Sequence, residues 1–396
     1  MNLTAPTFLL TLIASAAVAQ EPSLEVLMEL IVAQDARIAE LERRLAQTDD
    51  DLEATVDYVD TLASAPAERA TTIGGYGELH YNNLDADDAS NDIDEIDFHR
   101  FVLNVDHRFS DRIQFHSEIE VEHSLSGDGN PGEVEIEQAY VDIRLNDSLA
   151  AKAGLFLLPI GLINETHEPP TFYGVERNDV ESVIIPATWW EAGGGFSGNF
   201  DNGIGWDVAM HSGLAMPTTG GSAFRVRSGR QKVAEAFADN WAYTARVRYV
   251  GITGLELAAS YQYQSDPSQV PGDGLDSGQL MSANLVYQRD DFTLKALYGA
   301  WRFDGISVEA VGADEQDGWY IEPSYRLNSR WGVFARVEDV DGARAIDQFS
   351  QQEIGFNYWP HPDVVLKFDY RERDLDLPLL AGNDFGGIDL GLGYQF

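Results

Sequence analysis

The chain contains no cysteine. Neither a disulfide framework nor a thiolate metal site can be built, so whatever holds the fold is noncovalent. Positive charge is scarce as well: 26 lysines and arginines stand against 66 aspartates and glutamates, a net charge of −40. Such a field repels phosphate backbones and anionic lipid surfaces, which excludes unassisted binding of nucleic acid. Long apolar runs are missing too. Phe8–Ile13 is followed by small residues ending in Ala17-Val18-Ala19, the form of a secretory signal over residues 1–19, although without a basic n-region. Beyond it no stretch approaches the ~18 apolar residues that a membrane-spanning helix needs.

What is present begins with a seven-residue repeat. Leu24, Ile31, Ile38, Leu45, Leu52 and Val59 take one core position, and Leu27, Gln34, Leu41, Thr48, Thr55 and Leu62 the other, with charged residues between. A stripe this narrow and this long predicts a coiled coil over residues 20–64, with Gln34 and Thr48 fixing register, and we expect a homotrimer. At 1.5 Å per residue the rod would reach roughly 60 Å. Ser64-Ala65-Pro66 breaks it, and residues 65–71 form a linker.

From residue 72 to 396 the period becomes two. Phe101, Leu103 and Val105 alternate with polar neighbours, as do Ile113, Phe115, Ile119 and Val121. Short connections at Ser110–Arg112, Asn146–Ser148, Asn199–Gly203, Gly251–Gly254, Arg289–Asp291, Asn328–Arg330 and Pro360–Pro362 alternate with eight longer polar loops. The pattern predicts an all-β fold, a sixteen-stranded antiparallel transmembrane β-barrel of roughly 10-residue strands, with its apolar face on lipid. Aromatic residues at strand ends, Trp241, Tyr249, Tyr287, Trp319, Tyr325, Trp331, Tyr358 and Tyr370, fit interfacial girdles. A soluble sandwich would need shorter strands. The segment 156–187 is too long and too apolar for a solvated loop, and we expect it to fold into the barrel as a constriction.

Four stretches carry a family resemblance: GGYGELHYN at Gly74–Asn82, KAGLFLLPIG at Lys152–Gly161, the run Glu168–Trp190 and the terminal YQF. They resemble the Gram-negative phosphate-selective porins O and P, particularly trimeric members with an N-terminal coiled coil. The resemblance implies a trimeric sixteen-stranded barrel in the outer membrane, with its coiled coil in the periplasm. It also implies passive diffusion of small hydrophilic solutes and insertion by the barrel assembly machinery through Phe396, with membrane lipid and lipopolysaccharide as surroundings.

In such a barrel the residues opposite the apolar set line a channel. The inward bases are Arg100, Lys152, Arg246, Lys295, Arg336 and Lys367 near mid-height, with Arg248 closer to the end; they either attract anions or pair with inward acids such as Glu118, Glu120, Glu322 and Glu338. Across from them the constriction loop carries Glu165, Glu168, Glu176, Asp179 and Glu181 against His167 and Arg177, with Tyr173 among them. The loop has no lysine, a departure from the lysine cluster of the family that argues against strict phosphate selectivity; the expected solutes are small and hydrophilic, with a preference for anions such as phosphate or small carboxylates. A second basic group, Arg225, Arg227, Arg230 and Lys232, is expected on a solvated or intersubunit loop face, with an inward anion funnel as the alternative.

No enzyme is expected. His99, His107, His116 and His123 cluster near Ser117, yet no oxyanion-stabilising glycine motif accompanies them, and His99 and His107 fall on the lipid side. The acidic run Asp85–Glu95 lacks the glycine and glutamate of a calcium loop, so no metal or cofactor is expected. The rival to a channel is a structural anchor that tethers the envelope through its coiled coil.

Overall fold

The computed structural model describes residues 70–396 apart from residue 128, together with scattered helical positions between Met28 and Gln47. The chain divides into a unit of Met1–Ala67 and a unit of Glu68–Phe396. The expected signal peptide and most of the expected coiled coil and linker lie outside the described residues. Within the first unit Arg37–Leu41 is α-helical, and Glu40 accepts from Arg43 Nε at 3.0 Å and from Arg44 Nε at 2.8 Å. Ile38 and Leu41, one from each core position of the heptad, are 50 % and 56 % exposed.

The second unit is sixteen strands: β1 (Thr71–Ala86), β2 (Ile93–Arg108), β3 (Ile113–Glu122), β4 (Val134–Asn146), β5 (Leu149–Leu157) and β6 (Trp190–Asn199). They continue as β7 (Ile204–His211), β8 (Ala242–Ile252), β9 (Leu255–Gln264), β10 (Ser277–Arg289) and β11 (Phe292–Asp304). The last are β12 (Glu315–Arg326), β13 (Trp331–Asp341), β14 (Gln348–His361), β15 (Val364–Leu375) and β16 (Phe385–Gln395). Each pairs antiparallel with its sequence neighbours, and β1 pairs with β16 in the register Leu79↔Leu392, which closes the barrel. Phe396 and Gly75 exchange backbone hydrogen bonds of 2.9 and 3.0 Å at the seam. Closure leaves no edge, which is what a sheet in lipid requires.

Alternation sorts the two faces. On β12, Gln316, Tyr320, Glu322 and Ser324 are buried toward the interior, while Trp319, Ile321 and Tyr325 are exposed outside. On β13, Phe334, Arg336, Glu338 and Val340 are inside, and Val333 and Val337 outside. Trp331 lies 4.5 Å from Tyr358, ring to ring, on the outer surface at the short-turn end. These turns are tight because a polar side chain replaces a backbone partner: Asn146 Oδ1 accepts from Ser148 N at 2.9 Å and Asn328 Oδ1 from Arg330 N at 2.9 Å. The acidic run after Asn82 is shorter as a loop than its composition suggests, because β1 continues to Ala86 and β2 starts at Ile93.

The apolar core lies inside the barrel. Residues 158–189 fold inward, and Leu158, Ile160, Val180, Ile184, Ile185 and Trp189 bury against Leu297, Trp301 and Tyr320 of the wall. Trp301 Nε1 donates to the Ile184 carbonyl at 2.8 Å. Asn164, fully buried, closes the neck of the loop: its Nδ2 donates to the carbonyls of Leu158 and Trp189, and its Oδ1 accepts from Trp189 N at 2.6 Å. A second segment, 212–241, also enters, placing Leu214, Met216, Phe224 and Val226 in the same core.

The wall makes room for these loops. A Cβ on Gly393 would come within 2.3 Å of Pro169 Cβ, and one on Gly318 within 3.2 Å of Ile184 Cγ1. Gly393→Leu is therefore expected to overpack the loop seat by about 1–3 kcal/mol. The check is a lowered thermal unfolding midpoint in detergent.

Candidate functional site

The loop acids and the wall bases meet in pairs. Glu165 forms an ion pair with Arg246, which also donates from Nε to Asp207 at 2.8 Å. Glu176 lies 3.1 Å from His80 Nδ1 and accepts from Asn82 Nδ2 at 3.1 Å. Asp179 pairs with Arg373 at 2.5 Å. The loop thus lies on the basic wall, where the sequence had suggested charges facing each other across an open bore. Burial of the loop's apolar residues draws its acids down to that wall.

Glu181 serves as an acceptor inside the loop. It receives Leu162 N at 2.5 Å, Ile163 N at 2.8 Å, Asn178 Nδ2 at 3.1 Å and Tyr320 OH at 3.1 Å. Glu181→Ala would orphan these donors, each worth roughly 1–3 kcal/mol when left buried and unpaired. The expected result is a loosened constriction, read as at least about a tenfold higher rate of spontaneous closures in single-channel records.

The remaining residues singled out by sequence are distributed as follows. Arg100 pairs with Glu78 at 2.7 Å and Glu120 at 3.1 Å. Lys152 Nζ stands 4.5 Å from the Phe156 ring centroid. Arg336 is held among Glu322 at 3.3 Å, Glu338 at 3.6 Å and Glu353. Lys367 Nζ is buried 3.5 Å from the Phe172 ring centroid. Lys295 is half-buried in register with Glu322, and Arg248 is half-buried in register with Ala258. Tyr173 packs 5.3 Å from Phe334 and 5.6 Å from Trp359, and Glu168 is half-buried with its carbonyl capping Thr171 at 2.9 Å.

Between the two inward loops and β1 to β4 lies a chamber of about 230 Å³. Five arginines line it, Arg100, Arg177, Arg227, Arg230 and Arg371, together with eight carboxylates, Glu78, Glu120, Glu122, Glu135, Glu137, Glu176, Asp179 and Glu181. For Arg227 and Arg230 the expected solvated face is therefore replaced by an inward one. Phe224 and Val226 adjoin Arg225 and Arg227 and bury with Leu214 and Met216, which carries Arg227 and Arg230 in with them. Arg227 Nη1 donates to the Ala187 carbonyl at 2.7 Å, Arg230 to the Thr188 carbonyl, and Arg177 Nη1 to Thr188 Oγ1 at 3.1 Å. All three acceptors are neutral. Burial, and then the neighbouring Arg230, Arg177 and Arg100, pull the Arg227 guanidinium down to about 9. Arg225 instead pairs with Asp347 at 2.7 Å, and Lys232 with Glu133 and Glu135.

His99 also departs from expectation. A register shift between Glu78 and His80 inserts an extra residue in β2, and His99 turns from the lipid side to stack on inward His80 with ring centroids 4.5 Å apart. Asp97, His99 and His123 come together there as one group able to hold a metal, and Glu118, Glu137 and His167 form another.

Known proteins share this architecture. The solved barrels that superpose on the chain include an anion-selective porin from Comamonas acidovorans (TM-score 0.58, 13 % identity, 83 % of this chain and 100 % of that one). The outer membrane channel DcaP of Acinetobacter baumannii (0.55, 15 %, 83 % and 98 %) and OmpF of Salmonella typhi in complex with daunomycin (0.57, 12 %, 83 % and 98 %) are similar. At these identities the likeness is one of fold. In sequence, the chain is 30 % identical over 340 residues to an uncharacterized protein of Aquifex aeolicus (strain VF5), covering 78 % of this chain and 76 % of that protein. The family model for phosphate-selective porin O and P matches residues 72–377, nearly the whole barrel, and the chain belongs to that family.

Proposed function

We propose that this outer-membrane porin passes small hydrophilic anions, phosphate or small carboxylates among them, by passive diffusion through the chamber between its two inward loops. The observation that carries the reading is where three of the chamber's guanidiniums direct their hydrogen bonds. Most chamber and loop acids have a basic or hydrogen-bonding partner, while Arg177, Arg227 and Arg230 spend their hydrogen bonds on neutral oxygens. Guanidiniums bonded to neutral oxygens, and not neutralised by a carboxylate in direct contact, keep charge and donors for a passing anion, and their fork suits planar oxyanions. Family and fold are those of channels without catalysis, so selection is by size and charge.

Reversal potential across planar bilayers in a salt gradient tests this. Anion preference is expected; a cation-selective reversal potential would overturn the sign while leaving the porin intact.

The assembly we propose is a homotrimer joined through a periplasmic coiled coil over residues 20–64. Ile38 and Leu41 support it, since they leave apolar surface half-exposed at both core positions, the surface that partner helices cover in a coiled coil. Outward apolar and aromatic residues fit lipid and lipopolysaccharide as surroundings, and Phe396, 62 % exposed beside Phe101, fits recognition by the barrel assembly machinery. One related barrel, OmpT of Vibrio cholerae, is described in a trimer form.

A further inference from the structure

We propose that Glu118, Glu137 and His167 bind one divalent transition-metal ion of the zinc type, and that the ion fastens the constriction loop to the barrel wall. The three residues come from three places. Glu118 points inward from β3. Glu137 is delivered by a bulge: Glu118 pairs with Gln138 and Ile119 with Ile136, so Glu137 is the extra residue of β4 and turns into the barrel. His167 belongs to the loop over 158–189. Their exposures are 4 %, 1 % and 3 %.

The hydrogen bonds around the group define what its atoms offer. His167 Nδ1 donates to the Asn164 carbonyl at 3.2 Å, since a carbonyl only accepts. That bond leaves the Nε2 lone pair facing the carboxylates, 3.4 Å from Glu118 Oε1 and 3.7 Å from Glu137 Oε2. Among the described residues neither His167 Nε2 nor Glu137 Oε2 has a hydrogen-bond partner. Glu118 is held in place by Tyr76 OH at 3.1 Å and Gln138 Nε2 at 2.7 Å.

Three lone-pair donors within 4.8 Å of one another, all buried, repel unless a cation lies among them. A hydrogen bond would draw two of them to about 2.7–3.2 Å. Ligands at ~2.0–2.1 Å around a tetrahedral ion instead stand roughly 3.3 Å apart, close to the 3.4 and 3.7 Å that separate His167 Nε2 from the two carboxylates. An imidazole whose far nitrogen is fixed by a backbone carbonyl is the usual setting of a metal-bound histidine. One imidazole with two carboxylates favours zinc, ferrous or manganous ions over calcium or magnesium, which take oxygen alone.

The competing cation is a proton on His167, and metal analysis separates the two. Asp97, His99 and His123 offer a second group, so the measurements are made on full-length protein carrying His99→Ala and His123→Ala. Stripped with chelator in detergent and given Zn²⁺ alone, this protein should retain one ion per chain. Glu137→Gln or His167→Ala added to it should weaken retention by at least about tenfold. Co²⁺ in place of Zn²⁺ should give visible absorption of a nitrogen-ligated site, lost with His167→Ala. Failure of the His99→Ala, His123→Ala protein to take up Zn²⁺ overturns the proposal whether or not the further variants fold. Unchanged retention in Glu137→Gln and His167→Ala overturns it as well.

Discussion

Arg336→Met is expected to cost about 3–5 kcal/mol of unfolding free energy, because it leaves buried carboxylates without the cation they share. The guanidinium is 2 % exposed and lies within ion-pair distance of Glu322, Glu338 and Glu353 from three adjacent strands. Its Nη2 also donates to the Glu176 carbonyl at 3.3 Å, so the same side chain ties the constriction loop to the wall. A methionine of similar length keeps the volume and removes only the charge and the hydrogen bonds. The effect should appear in denaturant titrations in detergent followed by tryptophan fluorescence. Adding Glu353→Gln should restore part of the loss, since one fewer negative charge is then stranded. A cost below about 1 kcal/mol would mean that the acids carry shared protons and do not depend on Arg336.

The strands and their turns were legible because each is a local matter. Period-two alternation, as along Phe101 to Val105, follows from pleat geometry, and Asn146 or Asn328 closes a turn with its own side chain. The inward folding of the loop after Leu157 was legible for a different reason, namely an apolar content that a solvated loop cannot carry. The same signal stood in Leu214, Met216, Phe224 and Val226, but Arg225, Arg227 and Arg230 beside them read as a solvated face. Buried carbonyls of Ala187 and Thr188 receive Arg227 and Arg230, and no local pattern announces carbonyls supplied by another loop. Bulges were invisible too. His99 and Glu137 change sides through one extra residue each, and alternation counted along the strand assigns such residues to the wrong face. Pairings such as Glu165 with Arg246 depend on the path of the loop through the barrel, which charge counting cannot give.

Replacing Arg177, Arg227 and Arg230 together with glutamine is expected to reverse ion selectivity. The three are the chamber bases whose hydrogen bonds go to neutral acceptors, and their removal leaves Glu122, Glu135 and Glu137 among the lining. At an effective dielectric near 20 and with screening by salt, each guanidinium stabilises a nearby anion by on the order of 1 kcal/mol, about a fivefold change in permeability ratio per charge. Glutamine retains a donor for the Ala187 and Thr188 carbonyls, so the loops keep partners and the barrel should fold. Lys367→Met provides the contrast, because that ammonium lies beneath the Phe172 ring, outside the lining of the chamber, and its loss should leave the reversal potential nearly unchanged. If the triple variant keeps its anion preference while Lys367→Met loses it, selection resides in the wall under the loop, and the chamber arginines only hold the loops in place.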